Sequence, residues 1–190
     1  MKFAHTRIAV AGTHSTGKST FLTELARRLE GEGFRVGRVA DVASKAHDLG
    51  FPILRDHVYE STLWIIAEGI RQEMEEALRS DVVLVDRPVL DAVGYLLAAL
   101  DATDRTEPRL PELEVIATAH TPYYDWVGVT VLDEAAPLGP DRDLDLSFRV
   151  GAAKRIEELA GRFAPGAVRL ERGREKEIQD QAINFVLSRR

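Results

Sequence analysis

Short apolar runs alternate along the chain with longer stretches in which apolar residues return every three or four positions. Ile8 to Ala11 is a continuous apolar run, the pattern of a strand covered on both faces. From Lys18 to Glu30, residues Phe21, Leu22, Leu25, Ala26 and Leu29 fall on one side of a helix that Gly31 and Gly33 close. Val36 to Ala40 reads as a second strand ending at Asp41, and Asp48 to Arg55, with Gly50 and Pro52, as a loop facing the ligand. Leu63, Ile66, Ala67, Ile70, Met74, Ala77 and Leu78 predict a long amphipathic helix over 58–78. Val82 to Val85, held between Asp81 and Asp86, is a third strand buried on both faces. Helices follow over 90–100 and 111–119, the latter opening at Pro111 after a polar connection. A fourth strand over 127–132, a helix over 148–163, a short fifth strand over 167–170 and a closing helix over 175–187 complete the series. Asp133 to Asp145, with Pro137, Gly139 and Pro140 among charges, is expected to be a mobile surface segment.

Strands that alternate with helices require right-handed crossovers, and so predict a mainly parallel, five-stranded α/β sheet with helices on both faces. Ligands of such sheets lie beyond the carboxyl ends of the strands. Gly12, Asp41, Asp86 and Asp133 each stand at or just past a predicted strand end and should gather on one rim. The expected organisation is one domain over 1–190.

The first strand runs directly into Gly12-Thr13-His14-Ser15-Thr16-Gly17-Lys18-Ser19, which fits the phosphate-loop pattern G-x-x-x-x-G-K-[ST]. Such a loop turns successive backbone N–H groups inward at the start of a helix, which makes a nest for a triphosphate. Lys18 would reach the β- and γ-phosphates and the Ser19 hydroxyl would hold Mg²⁺. Asp86, a carboxylate closing a buried strand beside this loop, is the expected second Mg²⁺ residue; capping of the next helix is the simpler alternative.

Composition narrows the partners. With 190 residues and 45% hydrophobic positions, a globular core is affordable, while a net charge of −6 argues against a nucleic acid polymer. The chain has no cysteine, which excludes disulfides and thiolate chemistry. No apolar stretch approaches the ~20 residues that span a bilayer, and no signal-peptide core opens the sequence, so the expected compartment is cytoplasmic, without a membrane partner. His5, His47, His57 and His120 show no metal-ligand spacing and are expected at the surface or in loops. Trp64, Trp126, Tyr123 and Tyr124 suit core or hinge positions, with Trp64 able to line an acceptor pocket.

Asp86-Arg87-Pro88-Val89-Leu90-Asp91-Ala92-Val93-Gly94-Tyr95 resembles the D-R-x-x-x-[SD]-x-x-x-[YF] element of deoxynucleoside and thymidylate kinases. The loop Gly12 to Thr20 is similar to the G-x-E-S-T-G-K-S-T loop of NadR-like ribosylnicotinamide kinases and related small AAA-type ATP-binding proteins, with His14 in place of the glutamate. Asp143-Leu144-Asp145-Leu146-Ser147-Phe148-Arg149 resembles the D-x-D-P-x-F-R segment of their lid. After strand two those kinases carry E-x-A-R-E, where this chain has Asp41-Val42-Ala43-Ser44-Lys45 and no arginine.

The resemblance implies a P-loop NTPase α/β/α sandwich with a lid over about 134–147. It implies ATP and Mg²⁺, with the phosphates held by Gly12, Thr13, His14, Ser15, Thr16, Gly17, Lys18, Ser19 and Thr20 and the adenine contacted by Arg172. Asp41 is then the base that takes the acceptor proton, or else a strand-terminating turn residue. Arg87 clamps the acceptor or the moving phosphoryl group, or else pairs with Asp91 at the surface. Arg142 and Arg149 close over the transferring phosphate, or else belong to a solvated charged loop. The expected reaction moves the γ-phosphate of ATP to a hydroxyl of a nucleoside-like acceptor, in a monomer or homodimer. A nucleotide-dependent accessory ATPase is one alternative. The other is a nucleoside monophosphate kinase whose acceptor phosphate would meet Arg71, Arg87 and Lys45.

Overall fold

In the computed structural model, residues 6–133 and 145–190 are described. Five strands, β1 (Thr6–Ala11), β2 (Val36–Val39), β3 (Val82–Asp86), β4 (Trp126–Thr130) and β5 (Val168–Leu170), form an all-parallel sheet in the order β2-β3-β1-β4-β5. The helices among the described residues are α1 (Lys18–Gly31), α2 (Ala43–Asp48), α3 (Tyr59–Ala77), α4 (Val89–Thr103), α5 (Leu110–His120), α6 (Leu146–Phe163) and α7 (Glu175–Leu187). This is the α/β/α sandwich of P-loop NTPases.

The two-residue period of the strands divides the core. Ile8, Val10, Val82 and Leu84 face one side, where α1 supplies Phe21, Leu25 and Leu29 and α7 supplies Ile178 and Ala182. Ala9, Ala11, Val83 and Val85 face the other, against Ile66 of α3, Leu90 and Leu96 of α4, Leu113 of α5 and Ile156 of α6. The small Ala9 and Ala11 let α4 lie close over the sheet. The approach of α6 to α4 is closer still: a Cβ added to Gly94 would stand 2.5 Å from Cγ1 of Ile156.

Most helices and strands lie within a residue or two of their predicted bounds, the ordinary uncertainty of element ends. The carboxyl end of α4 runs on, through Thr103. Helix α2 is not predicted by periodicity, because Ala46 is its sole buried residue. Part of the expected lid, 134–144, lies outside the described residues, while Leu146 and Ser147 open α6.

A larger correction concerns α3. Its predicted apolar face includes Met74 and Leu78, yet these are 56% and 72% exposed, whereas Glu73 is 1% exposed. The buried face is turned so that Glu73 meets Tyr124 Oη at 2.8 Å and His120 Nε2 at 2.9 Å. A hydrogen-bonded carboxylate outcompetes a methionine for that position. Among the described residues, no helix is long and apolar enough to cross a membrane.

Candidate active site

The parallel sheet delivers Gly12, Asp41 and Asp86 to one rim, and the phosphate loop curls there between β1 and α1. Gly12 has φ 138°, and a Cβ on it would stand 1.9 Å from Oγ1 of Thr130, so both the conformation and the space demand glycine. Gly17 turns the chain into α1 with φ 84°. The first part of the loop is tied to α4. The Gly12 N–H donates to both Asp91 oxygens at 3.2 and 3.0 Å, and the His14 N–H donates to Tyr95 Oη at 2.9 Å. Tyr95 Oη also meets Thr13 Oγ1 and His14 Nδ1, each at 3.1 Å. Asp91 and Tyr95 lie one helical turn apart on the same face of α4, which accounts physically for their spacing in the sequence.

Lys18 is buried and its Nζ donates to Thr13 O at 2.5 Å. Burial, then the charge of Arg87, pushes its pKa down, while Asp91, Asp86 and Asp41 act in the opposite sense. Burial likewise pushes the Asp91 carboxyl up, against the pull of Lys18 and Arg87. A polyanion seated in the loop would add negative charge beside Lys18 and restore its full protonation.

Ser19 Oγ donates to Asp86 Oδ2 at 2.6 Å, while Asp86 Oδ1 is buried and has no hydrogen-bond partner among the described residues. A hydroxyl and a carboxylate with one orphaned oxygen beside a phosphate loop suit a hard, oxygen-seeking divalent cation. The next residue, Arg87, adopts φ 68°. That turn sends its guanidinium to Asp41 instead of Asp91: Nε lies 2.7 Å from Asp41 Oδ2, and the group sits 5.2 Å from the Tyr95 ring centre. Asp41 Oδ1 accepts the Ala43 N–H at 2.9 Å, which fixes the carboxylate at the start of α2.

The Asp41–Arg87 pair opens onto a cavity of about 200 Å³ that reaches the loop at His14. Its walls are mostly apolar, from Ile53, Leu54, Ile65, Ile66, Val89 and Ala92. The segment over 48–55 thus contributes to the wall, as its composition predicts. Two of the polar residues there, His57 and Glu73, escaped sequence reasoning. His57 lies in the loop between the Leu54–Asp56 turn and α3, as expected, but is 3% exposed, and His120, the last residue of α5, is 6% exposed, which corrects a placement at the surface. Trp64 stands off this wall, stacked on Phe51 at 5.4 Å. Arg71 and Lys45 also lie off it, paired with Glu68.

A second cavity, of about 760 Å³, meets the loop at Ser15, Thr16 and Gly17 and includes Thr20 and Arg172. Arg172 is an exposed side chain that pairs with Asp133 at 2.6 Å. Arg149, from the first turn of α6, is 1% exposed and donates to the His14 and Ser15 carbonyls, each at 3.3 Å. It is therefore a buried loop-bracing arginine in this structure and no part of a solvated loop. Arg142 lies outside the described residues.

A family model described as an AAA domain matches residues 7–175. The chain belongs to this AAA domain family. Comparison with curated proteins gives no match. Among solved structures, this AAA domain is similar to NadR in complex with NR, with 14% identity, a TM-score of 0.74 and coverage of 96% of this chain. It spans about half, 52%, of that NadR chain. It is also similar to deoxyadenosine kinase from M. mycoides with bound dATP, at 14% identity and TM-score 0.63, over 96% of this chain and 99% of the other. Thymidylate kinase from Ehrlichia chaffeensis aligns over the same shares with 13% identity and TM-score 0.63. At these identities the likeness is one of fold.

Proposed function

We propose that the protein is an ATP-dependent phosphotransferase that moves the γ-phosphate of ATP to a hydroxyl of a nucleoside-like small molecule. The observation that carries this reading is the pair of cavities meeting the phosphate loop at neighbouring residues, one of them closing on Asp41 and Arg87. A nucleotide switch or accessory ATPase needs a single nucleotide site, and a second, mostly apolar cavity beside the phosphate loop would serve no purpose in it.

In this reading the triphosphate lies in the nest of loop N–H groups from Ser15 to Thr20, with its base toward Arg172. Lys18 and Arg149 supply positive charge. Arg149 has no carboxylate ion-pair partner among the described residues, which leaves its buried charge to an anion. Ser19 and Asp86 would hold Mg²⁺, which supplies charge neutralisation on the phosphate oxygens when bound. Asp41, steadied by Arg87 and the Ala43 N–H, orients the acceptor hydroxyl and accepts its proton. The acceptor oxygen forms the new bond to the γ-phosphorus, and the bond to the β–γ bridging oxygen breaks to release ADP. Arg87 faces the acceptor oxygens with a planar pair of donors.

The placement of Arg71 and Lys45 in ion pairs with Glu68 leaves Arg87 as the cation on the acceptor wall, which favours a nucleoside over a nucleoside monophosphate. The test is ADP formation from Mg·ATP with a panel of nucleosides, nucleoside monophosphates and ribosylnicotinamide. Turnover that depends on one hydroxyl-bearing acceptor is expected. Turnover independent of any acceptor, or none with the whole panel, would overturn the reading.

A further inference from the structure

His57 is a polar side chain with nothing to bind. It is 3% exposed, it lies on the acceptor cavity, and neither ring nitrogen has a hydrogen-bond partner among the described residues. Its placement is nevertheless well defined. The His57 N–H donates to Leu54 O at 3.1 Å, its carbonyl accepts from Arg105 Nη2 at 3.0 Å, and its ring lies 6.1 Å from that of Tyr95 at 30°. A side chain held this firmly, with an unmet donor and an unmet acceptor, is costly to keep in an apolar wall unless a ligand completes it. Burial, with the nearby charges of Arg87 and Arg105, holds its pKa down to about 4, so at neutral pH the ring presents one N–H and one bare nitrogen.

We propose that His57 recognises the heterocyclic end of the acceptor by hydrogen bonding. The proposal rests on the acceptor reading above and deepens it. The acceptor hydroxyl belongs at Asp41 and Arg87, while the flat ring lies between Ile53, Leu54 and Ile66 with its polar edge at His57.

The test compares wild type with His57→Phe, which keeps the ring and removes both nitrogens, and with His57→Ala in case the larger ring disturbs folding. Calorimetric binding and thermal melting are measured with adenosine, guanosine, cytidine, uridine, ribosylnicotinamide and ATP. Wild type should bind at least one of the nucleosides or ribosylnicotinamide. Each variant should lose about tenfold or more of that affinity and keep its ATP affinity within about twofold. A second readout separates recognition from structure: without ligand, His57→Phe should melt no lower than wild type, because it removes polar atoms that nothing satisfies. Undiminished acceptor binding by the variants, or equal loss of ATP binding, overturns the proposal alone. Failure of wild type to bind any acceptor of the panel refutes the acceptor reading, and this proposal with it.

Discussion

Both oxygens of Asp41 are engaged before any acceptor arrives, one by Arg87 and one by the Ala43 N–H. Its position is therefore fixed by bonds that the reaction itself does not break. Asp41→Asn keeps the shape and removes the proton-accepting charge, so kcat should fall about 100-fold or more with the KM for ATP nearly unchanged. Steady-state kinetics with the acceptor at saturation check this. His57 gives a second prediction, in stability. The unfolded chain takes up its proton near 6.5, whereas the folded protein resists until about pH 4. Between those values the unfolded state holds more protons, so acid weakens the fold by up to roughly 1.4 kcal/mol per pH unit, and the contribution is constant above pH 6.5. Urea unfolding from pH 4 to 8 should show that slope, and His57→Phe should flatten it. Lys18, Ser19, Asp86 and Arg87 were legible because contiguous motifs announce them. His57 and Glu73 were not, since each is an isolated polar residue whose importance arises when distant segments bring walls up around it.

Helix α4 shows how one element can carry several duties. Its first two turns fix the loop through Asp91 and Tyr95, and it accepts α6 against Gly94. Gly94→Ala would push a methyl group into Ile156 and its backbone, at a cost of about 1–3 kcal/mol, seen as a lower melting temperature with unchanged helix content. Tyr124 links the same helix to α3, accepting from the Val89 N–H at 3.3 Å and donating to Glu73. Tyr124→Phe leaves both groups buried without that hydroxyl and should cost a further ~1–3 kcal/mol in denaturant unfolding. Periodicity located α3 and set Leu63, Ile66, Ile70 and Ala77 against the core, but it put Met74 and Leu78 there as well. Hydropathy ranks Met74 above Glu73, and only the hydroxyl and imidazole that α3 meets across the core reverse that ranking.

At the scale of the whole molecule, the parallel five-stranded sheet and the rim were readable because they follow from general constraints: doubly buried strands, right-handed crossovers and ligands beyond the carboxyl ends. Those constraints tolerate almost any apolar residue, which is why 14% identity suffices for the shared fold. They say nothing of the cavity beside Asp41, whose wall draws on α2 and the 3-10 turn Leu54–Asp56, elements without periodic signal. A nucleotide that binds only the folded protein should stabilise it by about 2.7 kcal/mol at a hundredfold excess over its Kd, and Lys18→Ala should abolish that gain in thermal melting with Mg·ATP. The ties of Asp86, Arg87, Asp91 and Tyr95 have a consequence for how such a protein can diversify. Within a stretch of ten residues these four reach Ser19, Asp41, Gly12 and His14 in turn, so none of the four can drift without disturbing the loop or the Asp41 carboxylate. The opposite wall, Ile53 to Gly69, makes none of those ties. Grafting that stretch from another member of the fold is expected to change which molecule is chosen while the transfer machinery is inherited intact.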